Sequence, residues 1–340
     1  MLLYSRRNLQ EVYRMYNQEL KEQFVSAYSK NESKRKSLYN IFEAVGKYEE
    51  KLSKDFCQMN EEELGHVLQE LMGYRARSKN TRGSSLRAYA RWCFDNQIPG
   101  ATQAMESVDF DRVGLDKMRR QSVASPQHLQ RYLDSVFEKE SEETVDVVYR
   151  CFFWLAYMGV MKEEDALSID VSDVDFEDMA IHFNGKDYPF YREAVPSIKK
   201  CATLESFRYV HPNYDPVLKE RAPGTKLLRG LKDTRSLQVF RNTICRKERE
   251  RKFLPAAIKD DKSLDLSLSF DRVWLSGRFF VMLENERSGM SVDFTYLAEE
   301  FMEGKEYNFS SGRNLIGAKK RQVAGDYLRD YEQWKLAYSV

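Results

Sequence analysis

Long apolar segments are missing from this sequence of 340 residues, and their absence excludes one class of protein. No run of about 18 or more uncharged apolar residues occurs, so the sequence predicts no membrane-spanning helix and no membrane partner. The N-terminal segment MLLYSRRNLQ contains no apolar stretch of the kind found in signal peptides. These two observations predict a cytoplasmic protein.

Cysteine and histidine are also scarce. The five cysteines form no C-x-x-C pair and no cysteine–histidine spacing typical of zinc sites, so buried reduced thiols are predicted. None of the four histidines follows His211. The acids at 163–178 span a helix start and a strand, which indicates a solvated acidic surface rather than a metal site. The sequence therefore predicts no metal and no other cofactor.

A net charge of only +1 argues against a simple polybasic protein, but the charges are strongly patterned. Residues 134–178 contain fourteen acids, whereas residues 75–91, RARSKNTRGSSLRAYAR, contain six basic residues and no acid. The segment 313–321 adds four further basic residues. A nearly neutral protein can therefore still present one strongly positive face, which is typical of nucleic-acid binding.

The distribution of apolar residues predicts two domains. Up to about residue 106 the pattern is helical, with Leu64, Val67, Leu68 and Leu71 on one helical face. Residues 107–126 lack clear periodicity and end in Ser-Pro, which indicates a linker. We therefore predict a helical domain at 1–106, a linker at 107–126 and a second domain at 127–340.

The second domain is predicted to be helical around one small β-hairpin. Ser125 suits a helix N-cap and Pro126 the first helical position. A helix is predicted at about 143–158, and a shorter one begins near Glu163. Residues 167–191 then alternate apolar and polar residues around Asn184-Gly185, a strong hairpin signal, with Lys186 at the tip. Residues 192–338 are predicted to be mostly helical, so the expected fold is mainly α with a small β-hairpin or sheet.

Two segments in this order resemble the tyrosine recombinases, the phage integrase family. KNTRGSSLRAYARWCFDNQIPG at 79–100 resembles the last long helix of that family's core-binding domain. YRCFFWLAYMGVMKEEDALSIDVSDVDFED at 149–178 resembles the start of its catalytic domain. The resemblance implies a helical core-binding domain followed by an α+β catalytic-like domain, with double-stranded DNA as the partner.

The resemblance also implies that the active site is incomplete. In that family a tyrosine attacks a DNA phosphate while two arginines and a hairpin lysine offset the developing charge. Met161 stands at the first arginine position, and a thioether cannot neutralise a phosphate. Leu275 replaces a histidine, whereas Arg278 and Lys186 match the second arginine and the hairpin lysine. Because several charge-stabilising groups are missing together, no strand cleavage is expected. The nearest nucleophile candidates are Tyr327 and Tyr331.

Basic and short polar side chains are predicted to hold the DNA in both domains. An amphipathic helix with a cationic face is predicted around 235–247, compatible with a major groove, and Arg278 is expected to bind a phosphate. In the first domain the predicted DNA contacts are Arg75, Arg77, Lys79, Asn80, Thr81, Arg82, Arg87 and Arg91. In the second they are Lys186, Arg235, Arg241, Arg246, Lys247, Arg278, Lys319, Lys320 and Arg321.

Three functions are compatible with these features. The first is a sequence-specific DNA-binding transcriptional regulator without recombinase activity, with a phage or prophage repressor that maintains lysogeny as the natural setting. The second is an active but divergent tyrosine recombinase. The third is an inert accessory subunit of a recombinase. Self-association and a phage protein partner are both left open by the sequence.

Overall fold

A computed structural model describes residues 15–73, 75–137, 145–211, 214–220, 224–229, 242, 264, 266–303 and 315–340. The described residues are mostly helical and include a three-stranded antiparallel sheet and a separate two-stranded sheet. The expected fold class, mainly α with a small β component, is therefore confirmed. The chain divides into two compact units, the first formed by residues up to Met118 together with Phe294–Val340, and the second by Arg119–Asp293.

The first unit is a set of helices around one apolar core. Phe24, Phe42 and Leu68 are among the fully buried residues of this core. The helix at Glu61–Leu71 begins at a short polar residue, because the Asn60 side chain accepts a hydrogen bond from the Glu63 N–H. The helices are α1 (Gln18–Tyr28), α2 (Glu32–Leu52), α3 (Glu61–Leu71), α4 (Ala76–Asp95), α5 (Leu115–Gln121, which reaches into the second unit), α11 (Phe294–Met302) and α12 (Ile316–Tyr338).

A buried ionic cluster lies inside this core. Lys21 is fully buried, and its Nζ lies 2.8 Å from a Glu49 oxygen and 3.2 Å from an Asp55 oxygen. The Tyr89 hydroxyl donates to Asp55, and the Phe56 N–H donates to Glu49. The cluster holds one cation and two carboxylates, and burial raises the pKa of Glu49 to about 7 despite the attraction of Lys21. The Lys21–Glu49 ion pair of this cluster joins α1 to the C-terminal end of α2.

The second unit is built around one wholly buried helix. Every residue of α7 (Asp146–Met158) is buried, as expected for a helix that is apolar on all sides and covered by neighbours. Its one basic residue, Arg150, is fully buried and lies 2.6 Å from Asp134 of α6. The other helices are α6 (Pro126–Val136), α8 (Glu163–Ser168), α9 (Val195–Thr203) and α10 (Phe270–Arg287).

The strands follow α8 and α9. β1 (Val174–Asp175), β2 (Ala180–Phe183) and β3 (Lys186–Pro189) form an antiparallel sheet in that order. The predicted two-residue turn at Asn184-Gly185 is confirmed, and both residues have positive φ, as a tight hairpin turn requires. β4 (Ser206–His211) and β5 (Tyr214–Glu220) form the second sheet.

The predictions for the start of α6 and for the cysteines are confirmed. The Ser125 side chain accepts a hydrogen bond from the His128 N–H, with Pro126 opening α6, as predicted. Cys57, Cys93, Cys151 and Cys201 are buried and form no disulfide, which confirms the prediction of buried reduced thiols for the four cysteines in the described residues.

Two segments contain elements that the sequence did not predict. The segment 107–126, predicted to be a linker without clear periodicity, contains α5, whose seven residues are too short to display a helical period. The segment 192–338, predicted to be mostly helical, contains β4 and β5. Pro216 lies inside β5, and a proline weakens the sequence signal of a strand.

The two compact units differ from the domains predicted at 1–106 and 127–340 and from the linker predicted at 107–126. The division falls after Met118, inside the expected linker, but α11 and α12 belong to the first unit. The reason is that α12 buries an aromatic and acidic face, including Tyr327 and Asp330, against α4.

Candidate nucleic-acid interface

The name basic face is used here for the arginine side chains along α4: Arg75, Arg77, Arg82, Arg87 and Arg91. Arg75 is the N-cap of α4 and the others follow along the helix. Arg77 and Arg91 are 57% and 62% exposed. Exposed guanidinium groups on one helix are suited to phosphate oxygens, because the planar group presents several donors at once.

The C-terminal half of this face is held in place by the loop that follows α4. Arg91 Nη2 lies 2.7 Å from Glu106, and Arg87 Nη2 donates to the Val108 carbonyl over 2.9 Å. The Arg87 guanidinium also stacks on the Phe110 ring, 4.6 Å from its centroid. These contacts restrict the side chains before any ligand binds, so less conformational entropy remains to be lost on binding.

The N-terminal end of the face is covered by α12. Arg75 Nε lies 2.7 Å from a carboxylate oxygen of Asp330, and Arg77 Nη1 lies 3.8 Å from Asp326. The Arg75 guanidinium also lies 5.4 Å from the ring centroid of Tyr327. No acid interrupts residues 75–91 in the sequence, but acids more than two hundred residues away pair with this segment.

For Lys79 the structure corrects the prediction of a phosphate contact. Its side chain is fully buried, and Nζ donates to the Val113 carbonyl over 2.8 Å. Burial lowers the pKa of Lys79 to about 8, although the nearby Asp330 and Asp111 carboxylates act to raise it. Lys79 therefore holds residues 113–114 against α4 and cannot reach a phosphate.

The short polar side chains beside Lys79 lie at the surface. Asn80 and Thr81 are exposed, and the Thr81 hydroxyl donates to the Arg77 carbonyl one turn earlier. The Ser84 hydroxyl likewise donates to the Asn80 carbonyl. The two hydroxyls still have lone pairs to accept with, whereas their donor hydrogens serve the helix itself.

In the second unit, Arg278 of α10 forms a hydrogen bond with the protein backbone. Its Nη2 donates to the Met158 carbonyl over 2.6 Å, and Trp274 Nε1 donates to the Gly159 carbonyl over 3.2 Å. Both bonds satisfy carbonyls at the C-terminus of α7, where a cation is favourable. Gly159 has φ 123°, and a Cβ there would lie 2.4 Å from Arg278 Nη2. Arg278 therefore fixes the turn that leads to Met161.

Met161 and Leu275, which replace the charged and polar catalytic residues of the resembling family, are at least partly buried. Met161 is half-buried at the end of the turn, one residue before the N-cap of α8. Leu275 is buried in α10 among residues that pack on α7. The phenol of Tyr191 is also close to Arg278, and burial raises its pKa while the guanidinium acts to lower it.

The two candidate nucleophiles belong to the first unit and are buried. Tyr327 is 3% exposed, and burial raises its pKa to about 12 although a hydrogen bond and positive charge from Arg75 act in the opposite direction. Tyr331 is 1% exposed and stacks on Trp334. Both phenols contribute to the packing of α12.

The remaining predicted contacts lie apart from the basic face in the sequence. Lys186 is exposed at the first residue of β3, beside the hairpin turn. Lys320 pairs with Glu299 of α11. The Lys319 Nζ donates a hydrogen bond to Gln322 Oε1 over 3.3 Å, and Arg321 is exposed. Four predicted contacts lie outside the described residues: Arg235, Arg241, Arg246 and Lys247.

One group of metal-ligand type occurs in the described part of the chain. Ligand atoms of Asp175, Asp178 and His182 lie within 4.8 Å of one another at the surface. Two backbone N–H groups, of Asp178 and Glu177, bond to Asp175 and lower the pKa of its carboxyl. A hydrogen bond to Asp187 raises the pKa of His182. Each side chain thus interacts with protein groups, and the three form part of the acidic surface near β2.

Comparison with known proteins gives one family match. Residues 15–95 match a family described as MrpR, N-terminal core-binding domain. No curated protein matches the chain. Among the described residues, no helix is both long and apolar enough to cross a membrane. The matched segment contains α1 to α4, so the first unit contains a segment similar to the MrpR N-terminal core-binding domain, with the basic face on its last helix.

Sequence reasoning missed the acids that complete this surface. Asp326 and Asp330 are four residues apart and lie on one face of α12, a spacing common to many solvated helices. Glu106 is the last residue of the predicted first domain. Nothing in the local sequence distinguishes these three acids, because their arginine partners are brought to them only by the tertiary fold.

Proposed function

We propose that this protein binds double-stranded DNA through the basic face of α4 and regulates transcription without cutting the strand. The core-binding match at 15–95 supports the proposal, because the exposed Arg77 and Arg91 lie within the segment that is similar to a core-binding domain. The regulator we propose is a phage or prophage repressor that maintains lysogeny. Such a protein acts by occupying a promoter, so it needs affinity for DNA and sequence preference but no strand cleavage.

The positions expected to carry catalysis support a role without cleavage. Arg278 already donates to the backbone of α7, and Met161 offers no charge to a phosphate. Tyr327 and Tyr331 are buried, and the pKa of Tyr327 is raised to about 12, opposite to what a nucleophile requires. Each missing charge-stabilising donor typically lowers the rate by about a hundred- to a thousandfold, so the combined losses support an inactive scaffold.

Binding is tested by replacing one arginine of the basic face. We expect Arg77→Gln to weaken binding to a genomic DNA fragment about fivefold and to reduce the salt dependence by about one counterion, because one phosphate contact is lost. Fluorescence anisotropy at several salt concentrations measures both quantities. Arg287→Gln is the matched control, because Arg287 is 55% exposed, pairs with Glu284 and lies outside the basic face. Equal affinities of the two variants contradict the proposed surface.

Cleavage is tested with nicked suicide DNA that contains a footprinted site. We expect no covalent 3′-phosphotyrosyl complex from the natural protein or from Met161→Arg, since one restored arginine leaves the other positions unfilled. Denaturing gel electrophoresis followed by mass spectrometry detects such a complex. A DNA adduct on Tyr327 or Tyr331 would establish the alternative, an active divergent recombinase. DNA protection that ignores sequence contradicts the regulator.

A further inference from the structure

α12 occupies part of the surface that the proposed function assigns to DNA. The Asp330 carboxylate, which is 2% exposed, forms an ion pair with the Arg75 guanidinium. Asp326 lies near Arg77 and also accepts a hydrogen bond from Arg329. Since Asp326 and Asp330 are four residues apart, they stand one helical turn apart on the same side of α12. Two negative charges therefore face the two arginines at the start of α4.

One of these acids, Asp330, also acts on a buried charge of α4. The attraction of Asp330 acts to raise the pKa of the buried Lys79, so its field extends to a third cation of the segment. Coulomb interactions are stronger in such partly buried places than in water, and salt screens them less. While α12 is docked, the N-terminal half of the basic face thus has much of its positive charge compensated.

α12 does not pack closely against the neighbouring helices along its whole length. A cleft of about 570 Å³ lies among α2, α4, α11 and α12. Protein interiors are normally packed without voids much larger than a water molecule. The cleft is lined by exposed polar groups, including Ser37, Asn40 and Thr81, by the paired arginines and acids, and by apolar side chains such as Ile41 and Val323. Fewer apolar contacts hold α12 here than a closed core would provide, so its release from this place costs less.

We propose that the surface formed by Arg75 and Arg77 has two mutually exclusive occupants, α12 of the same chain and the phosphate backbone of DNA. The inference rests on the proposed function, because the second occupant is the proposed DNA ligand. Carboxylates and phosphates bind the same fork of guanidinium donors, so both cannot pair with these arginines at once. DNA binding must then release Asp326 and Asp330, and by linkage any change that weakens their contacts strengthens DNA binding by the same factor.

The test compares two substitutions on one helix. Asp330→Asn removes the partner of Arg75, whereas Glu332→Gln makes the same change of net charge two residues away, at an acid that is 54% exposed and pairs with Lys335. We expect Asp330→Asn to raise DNA affinity at least about fivefold, and Glu332→Gln to change it less than about twofold. Fluorescence anisotropy with one duplex measures all three proteins, and circular dichroism verifies their folding.

A second readout uses the natural protein alone, in case Asp330→Asn does not fold. We expect amide hydrogen exchange in residues 323–331 to become faster when DNA is added, because α12 leaves the basic face. DNA binding with equal affinities of the two variants, or with unchanged or greater protection of 323–331, overturns the competition and leaves the proposed function intact. Failure of all three proteins to bind any duplex overturns the proposed function itself.

Discussion

Replacing Lys21 with methionine is expected to lower the free energy of unfolding of the first unit by about 3–5 kcal/mol. Methionine fills a similar volume but leaves Glu49 and Asp55 buried without their shared cation. Uncompensated buried carboxylates are far more costly than the loss of an exposed pair. The effect is large because all three side chains have almost no exposure to water.

The control for this prediction is an ion pair at the surface of the same unit. Lys54→Met removes a 2.7 Å pair with Glu63, but Lys54 is 44% exposed, so a change below about 1 kcal/mol is expected. Hydrogen exchange measured residue by residue assigns the loss to the first unit, since two units need not unfold together. A similar small effect of both substitutions contradicts the assignment of the cluster as a stabilising centre.

The same cluster makes the first unit sensitive to pH. The folded pKa of Glu49 is about 7, above its ordinary value of 4.5, so the folded state holds an extra proton between these values. This stabilisation is complete below about pH 4.5 and is lost as the pH rises through 7, a difference on the order of 3 kcal/mol. Glu49→Gln keeps the neutral form and is expected to flatten the decline in the melting temperature over this interval.

Replacing Gly277 with alanine is expected to destabilise the second unit by about 3 kcal/mol or more. A Cβ at this position would lie 1.9 Å from the carbonyl oxygen of Tyr157 and 2.8 Å from its carbonyl carbon. These are backbone atoms, so no side chain can rotate away. α10 would have to move from α7 and would give up the Arg278 and Trp274 hydrogen bonds at the helix end.

Gly65 of α3 provides the matched control. In the described part of the chain, no atom outside the backbone of α3 and the two neighbouring residues lies within 4 Å of the place that a Cβ of residue 65 would take, and alanine has the higher helix propensity. Gly65→Ala is therefore expected to stabilise the first unit by about 0.5–1 kcal/mol. Urea denaturation followed by hydrogen exchange measures both variants. Comparable stabilities for Gly277→Ala and the natural protein would show that α7 and α10 do not approach so closely.

Some of this structure follows from local chemistry and some does not. The Ser125 cap, the Asn184-Gly185 turn and the apolar helix α7 are each determined by residues within a few positions of one another, and all three are predictable. The partners of the basic face are not. Arg75 meets Asp330, and Arg278 meets the Met158 carbonyl, through contacts between distant parts of the chain.

Lys79 shows the limit of charge patterning most directly. A lysine in an acid-free run of arginines predicts phosphate contact, yet its carbonyl partner and its burial depend on residues 113–114. A sequence shows the sign of a charge but does not show which side of a helix faces the core when that side also carries charge. Buried cations such as Lys21 and Lys79 are invisible to patterns that treat charged residues as solvated.

The first unit is formed from the two ends of the chain, with the whole second unit inserted between them. During synthesis α4 leaves the ribosome before the inserted unit, and α12 leaves after it. The arginines at the start of α4 therefore exist without their acidic partners for as long as the ribosome needs to complete the inserted unit. Docking of α12 then closes a loop that contains the whole second unit, and contacts of such long range form slowly. A newly made chain thus passes through a period in which the basic face of α4 is open to the polyanions of the cell before it meets α12.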